Sequence, residues 1–306
     1  MTALSAGAVM DALIPREVRG AWQQPQDRLA AFRAQIGATP IKTQPLGEQL
    51  TLLSGPGGNV VVLHGAEGLI VVDTFVAPAW PNLEESLKGL GGPVKFVINT
   101  HWHFDHTDNN APLHAAGATV VAHENTKRRM SAPQHIAILD LEFPPSPAAA
   151  LPQRVFADGY KLEANGERLG VSYVAPAHTD TDVIVWFERA NVLHAGDVFF
   201  NGRYPLIDGS TGGRVFGMIK ASNRLLSLAE ADTKIVPGHG PLAVKADLVK
   251  YRDMLATAAD RVRKLKASGK SLEESIAAKP FTDLDGDWGS GRYKGDDFVR
   301  IVYLTL

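Results

Sequence analysis

The segment His101-Trp102-His103-Phe104-Asp105-His106 places three imidazoles and a carboxylate within six residues, directly after the apolar run VKFVINT at Val94–Thr100. Three further metal-capable side chains each close an apolar run: His178 in APAHTD, Asp197 in HAGDVF and His239 in VPGHG. A strand that stops at the rim of a sheet presents its last side chains to a cleft, and several such strands build a polar site on a rigid base. Imidazole nitrogen and carboxylate oxygen are good zinc ligands and also suit iron and manganese. His101 and His103 sit two residues apart and can bind one ion from an extended loop. Adjacent Asp105 and His106 point differently and can serve a second. Five histidines and two aspartates exceed what one tetrahedral ion needs. They fit two ions with a shared carboxylate and a bridging hydroxide.

The stretch after Asp197, VFFNGRYPLIDGSTGG, runs into a loop containing proline and glycine. Phe199, Phe200 and Tyr204 can wall a pocket there, Arg203 can meet an anion, and Tyr204 can donate a hydrogen bond to an oxyanion. The same residues also suit a packed core and a solvated surface. Trp102 and Phe104 alternate with the ligands and are expected to pack beside the loop. His64, His114, His123, His135 and His194 lack the pattern and are read as background.

These residues need elements to hold them. NVVVLHG (59–65) and GLIVVDT (68–74) read as a hairpin turning at Ala66-Glu67. Further strands are expected at 94–101, 118–124, 171–178, 181–188, 191–200 and 233–240. Helices are expected near Gln26–Ile36, Pro81–Leu90 and Val215–Ala229. Leu248, Tyr251, Leu255, Ala258, Val262 and Leu265 step by three and four and predict a helix over Lys245–Ala267. Ser271 and Glu274 form a capping box for a shorter one. VRIVYLT (299–305) reads as a final strand. Pro144, Pro145, Pro147 and Pro152 mark a loop. Strands and helices alternate with no boundary between two cores. The reading is an extension over residues 1–45, partly helical, and a single domain over 46–306 with mixed sheets and outer helices.

Composition narrows the chemistry. The chain has 306 residues and no cysteine, which excludes disulfides, thiolate-held zinc and cysteine nucleophiles. A net charge of −2 gives no general pull toward nucleic acid or an anionic membrane. No stretch reaches 18 apolar residues, so no membrane span is expected. The N-terminus lacks a basic region before its apolar run, which Asp11 interrupts, so it does not read as a signal peptide. The expected location is cytoplasmic, or periplasmic if a leader was removed. The expected partner is a small-molecule substrate, and composition leaves the oligomeric state open.

The full pattern HWHFDH, His178, Asp197 and His239, in that order, resembles the metallo-beta-lactamase superfamily of metallohydrolases, from about Pro45 to Gly240. The resemblance implies a four-layer αβ/βα sandwich with the site at one edge between two sheets. It implies that His101, His103 and His178 hold one ion, that Asp105, His106 and His239 hold a second, and that Asp197 bridges them. Two zinc ions are the expected cofactors, with iron or manganese as alternatives. Asp73, which ends LIVVD, would support the metal loop from behind. An aspartate bridge is similar to the glyoxalase II type and its relatives acting on thioesters, lactones and phosphoesters. In the antibiotic-degrading members that position is typically cysteine or serine. The implied activity is hydrolysis of an ester, thioester, lactone or amide, the β-lactam amide included, by a metal-bridging hydroxide, with Asp105 also accepting a proton. The competing readings are a small-molecule phosphodiesterase, a mono-iron redox enzyme such as a persulfide dioxygenase, and a non-catalytic metal-binding module.

Overall fold

The structure, a computed structural model, describes residues 25–306. Residues 1–24, on which the signal-peptide reading and part of the expected N-terminal extension fall, lie outside that range. Two sheets face each other. The larger runs β1 (Lys42–Pro45), β2 (Leu50–Gly55), β3 (Gly58–Leu63), β4 (Leu69–Val72), β5 (Val94–Ile98), β6 (Thr119–His123) and β9 (Arg154–Phe156). The smaller runs β10 (Gly159–Ala164), β11 (Glu167–Tyr173), β12 (Val183–Phe187), β13 (Val192–His194) and β14 (Lys234–Val236). A separate hairpin pairs β7 (Gln134–Ile136) with β8 (Leu141–Phe143).

The period of two in a strand explains the layers. Val61 and Leu63 of β3 and Ile70 and Val72 of β4 meet Val183, Val185 and Phe187 of β12 between the sheets. The alternate residues Val60, Val62, Leu69 and Val71 face the outer helices with Leu83 and Leu87. Ile184 turns the other way, into a core shared with the helices Val215–Leu228, Lys245–Ala267 and Gly295–Thr305. Both faces of the central strands are therefore buried, which is why VVVL and LIVV read as unbroken apolar runs. The result is the expected mixed α/β fold of four layers, helix–sheet–sheet–helix.

β3 and β4 pair antiparallel as expected, but the connection is longer than two residues and spans His64–Gly68. The expected helices at Gln26–Ile36, Pro81–Leu90 and Val215–Ala229 appear as Pro25–Gly37, Trp80–Leu90 and Val215–Leu228. The C-terminal run VRIVYLT is a correction: it is not a strand but part of the helix Gly295–Thr305. Phe298, Val299, Ile301, Val302 and Thr305 are buried, a stripe at helical spacing. Asp297 closes the first turn by accepting from Lys294 N–H at 2.9 Å. No helix among the described residues is long and apolar enough to cross a membrane.

Strand direction positions the site. β4, β5 and β6 run parallel, as do β13 and β14. Asp73 follows β4, the His101 loop follows β5, His178 follows β11, Asp197 follows β13 and His239 follows β14. All five segments leave their strands at C-terminal ends, where open α/β sheets gather ligands. Two backbone bonds join the sheets at this rim: Val183 N–H donates to Thr100 O at 2.8 Å, and Asn59 N–H to Gly238 O at 2.9 Å.

Candidate metal centre

All seven expected ligands converge. His101, His103, His178 and Asp197 form one set and Asp105, His106 and His239 another, with the ligand atoms of each set within 4.8 Å of one another. Asp197 lies between the sets. Its Oδ2 is 3.9 Å from His101 Nε2, 3.4 Å from His178 Nε2 and 3.2 Å from His239 Nε2, and its Oδ1 is 3.2 Å from His106 Nε2. Asp105 Oδ2 stands 3.6 Å from His239 Nε2 and 3.8 Å from His106 Nε2.

The outer nitrogens of the imidazoles decide what the inner ones can do. His178 Nδ1 lies 2.8 Å from Leu206 O, an acceptor, so Nδ1 carries the proton and Nε2 presents a lone pair. His103 Nε2 lies 3.1 Å from Asp208 Oδ2, which leaves Nδ1 as the lone pair. Those two inner nitrogens face each other at 2.9 Å. His106 gives Nδ1–H to Asp73 Oδ2 at 2.7 Å and turns Nε2 toward the Asp197 carboxylate. The His101 Nδ1 stands 3.1 Å from Thr100 Oγ1, whose own proton goes to Asp73 Oδ2 at 2.7 Å. Acceptors thus confront acceptors, and His101 Nε2, His106 Nε2 and Asp197 Oδ1 are buried with no hydrogen-bond partner. Buried lone pairs without donors are costly unless a cation sits among them. Nitrogen and oxygen donors without a thiol suit zinc, iron or manganese, so the donor set fits the expected ions.

Electrostatics keep most donors ready. Burial, then the neighbouring His106, holds His101 well below the usual imidazole range, and burial pushes His178 down to about 3. Burial opposes charge on His106 too, but the Asp197, Asp73 and Asp105 carboxylates outweigh it and hold that imidazole well above its ordinary value. Burial alone would raise Asp197; His239, His106 and His101 reverse this and hold the carboxyl well below the carboxylate range.

Asp73 stands where it was expected, behind the metal loop, and also receives Thr100 N–H at 2.8 Å. Asp208 was missed. It orients His103 and is itself fixed by Thr211 Oγ1 at 2.6 Å and Ser210 N–H at 3.0 Å. The only sequence signal was the turn-like DGST. Asn59 was missed too: its amide donates to Pro237 O at 2.8 Å and Gly240 O at 2.9 Å, clasping the loop that carries His239. Trp102 and Phe104 pack as expected, both against Phe143. Phe199 is fully buried against Tyr251, whereas Phe200 stacks on His239. His64, His114, His123, His135 and His194 belong to neither ligand set.

The centre opens into a cavity of about 790 Å³, lined by Asp105, Asp197, His103 and His239 at its base and by Phe32, Ile36, Leu139, Phe200, Arg203 and Tyr204 among its walls. That volume suits a small molecule. The Tyr204 hydroxyl donates to Asp285 Oδ1 at 3.0 Å and its ring stacks on Phe298, so its proton is already placed.

The chain resembles several known proteins in sequence and in fold. The chain is 29% identical over 235 residues to the hydroxyacylglutathione hydrolase of Methylococcus capsulatus, covering 72% of this chain and 81% of that protein. It is 25% identical over 284 residues to the 2,4-dinitroanisole O-demethylase subunit alpha of a Nocardioides species, covering 87% and 78%. Among solved structures, a metallo-beta-lactamase from Pontibacter korlensis superposes with a TM-score of 0.58 at 19% identity, covering 71% of this chain and 99% of that one, a likeness of fold. The metallo-beta-lactamase superfamily profile matches residues 53–240, from β2 through His239, and the chain belongs to that superfamily.

Proposed function

We propose that the chain is a binuclear metal-dependent hydrolase that cleaves an ester, thioester, lactone or amide bond of a small molecule. One observation carries this reading: the Asp197 carboxylate lies between two sets of nitrogen and oxygen donors, within 3.2 Å of His106 on one oxygen and of His239 on the other. Two divalent cations held there would acidify a shared water and polarise the scissile group. His101, His103, His178 and Asp197 would hold one, and Asp105, His106, His239 and Asp197 the other.

The remaining work falls to the chain. Asp73, Asp208 and Leu206 O fix the imidazole tautomers, which keeps donors aimed inward without reorganisation. Asp105 faces the cavity beside Asp197 and can take the proton released from the attacking water. The apolar walls exclude bulk water and orient the substrate body.

Hydrolysis is the activity named for the Methylococcus relative. O-dealkylation of an aromatic ether is a second reading, favoured by the Nocardioides relative, whose similarity extends over 87% of this chain. Elemental analysis of protein never exposed to chelator tests the centre. Two zinc ions per chain are expected; a single iron would overturn the hydrolytic reading in favour of redox chemistry. Assay with thioesters, lactones, β-lactams, phosphodiesters and 2,4-dinitroanisole then separates the bond types. Turnover of phosphodiesters alone would overturn the ester-class assignment.

A further inference from the structure

The walls of the cavity carry an unusual charge balance. Its charged lining residues other than histidine are Lys42, Asp105, Asp197, Arg203 and Arg292. Both carboxylates are metal donors in the reading above, so with ions bound every remaining charge is positive. Arg203 is half-buried, and neither Arg203 nor Arg292 has a carboxylate within ion-pair distance among the described residues. The other arginines near the site behave differently: Arg33 makes two bonds to Asp108, at 2.6 and 2.7 Å, and Arg129 is paired with Asp180 at 2.7 Å. Burial alone depresses the basicity of Arg203, with no anion to offset it.

Arg203 and Arg292 belong to loops strapped together. Tyr204 N–H donates to Trp288 O at 2.9 Å, Ser290 Oγ to Gly202 O at 3.2 Å, and the Tyr204 hydroxyl to Asp285. The Gly291 backbone lies against the stem of Arg203, where a Cβ would come within 2.9 Å of Arg203 Cβ. Arg292 in turn lies over the Phe32 ring at 4.7 Å, and Phe32 belongs to the helix Pro25–Gly37. Arg292 and Phe32 both fall outside residues 53–240, the part that the family profile matches.

We propose that Arg203 and Arg292 form an anion subsite that selects substrates carrying an acidic oxyanion, with an apolar body resting on Phe32, Ile36 and Leu139. This inference rests on the hydrolase reading and names its substrate class. The half-buried Arg203 guanidinium, with no carboxylate partner, is a strong donor for a carboxylate, and Phe32 beneath the exposed Arg292 holds the second guanidinium in place.

The test is calorimetric titration of the zinc-loaded protein with 4-phenylbutyrate and with its uncharged amide, in wild type, Arg203→Gln and Arg292→Gln. Wild type is expected to bind the acid more tightly than the amide. Each variant is expected to lose roughly tenfold in affinity for the acid and little for the amide, the size of one charge-assisted contact. Equal loss for both ligands, or acid binding unchanged in both variants, would overturn the subsite. Zinc per chain, measured on the same samples, keeps the two ideas apart. Two zinc ions with no discrimination of the acid sinks the subsite alone. Failure to take up zinc sinks the hydrolase reading.

Discussion

Asp73 Oδ2 stands 2.7 Å from His106 Nδ1, and this carboxylate is the shared anchor of the metal loop. It also accepts from the backbone N–H and the hydroxyl of Thr100. Three donors converge on one carboxylate, which an amide cannot replace, because its NH₂ would face a donor. Asp73 also has φ of +65°, a conformation that asparagine tolerates, so Asp73→Asn isolates the chemistry from the backbone. The expected result is a zinc affinity at the His106 set lowered about 10–100-fold, with the fold intact. Competition with a chromogenic chelator measures it, and unchanged affinity would remove Asp73 from the supporting shell.

Gly238 packs directly against the Asp197 carboxylate. A Cβ at this position would lie 1.9 Å from Asp197 Oδ1 and 2.7 Å from the Gly196 carbonyl carbon. Gly238→Ala must therefore move the bridge or the loop carrying His239. The expected cost is about 1–3 kcal/mol of stability, with fewer than two metal ions retained per chain. Gly89→Ala is the matched control. Gly89 lies inside the helix Trp80–Leu90 with nothing within 4 Å of an added Cβ, and the change should stabilise by about 0.5–1 kcal/mol. Thermal melts and metal analysis of the pair check both signs.

The ligands were legible because each sits just past an apolar run, and a run and a polar stop are both local signals. Asp208 was not, because it acts on His103 across 105 positions while its local bonds to Ser210 and Thr211 are those of any capped turn. The edge strand β1 was invisible for a related reason: all four of its residues are exposed, so burial imposes no alternation. In VRIVYLT the β-branched residues suggested a strand. The helical stripe appears once Phe298 and the capping Asp297 are included, and tertiary packing against the helix Lys245–Ala267 then outweighs β propensity.

Asp182 gives a pH dependence with a definite sign. Burial pushes its carboxyl up to about 7, against the opposing hydrogen bonds from the Thr179 N–H and hydroxyl. An acid with a raised folded value contributes stability that is fully present below its unfolded value of about 4 and is lost as pH rises through about 7. In metal-free protein, the stability of wild type relative to Asp182→Asn should therefore fall by on the order of 3 kcal/mol between those limits. Cations at the neighbouring centre favour the ionised carboxyl, so zinc should flatten the curve. Denaturant titrations across this range test it; a difference independent of pH in metal-free protein would show that Asp182 is already ionised.

Tyr204 separates a wall from a catalyst. Its hydroxyl is bonded to Asp285, and burial together with that carboxylate holds the phenol well above its ordinary range, so it stays protonated at any working pH. A donor spent on Asp285 gives nothing to an oxyanion unless that bond breaks. Tyr204→Phe should therefore cost about 0.5–1.5 kcal/mol of stability and change kcat by less than about threefold. An oxyanion donor would behave otherwise, its loss lowering kcat about 10²–10³-fold. Because the Tyr204 N–H bond to Trp288 O survives the substitution, the strap between the two loops is kept, and a large fall in kcat with KM unchanged would assign the hydroxyl to the reacting centre.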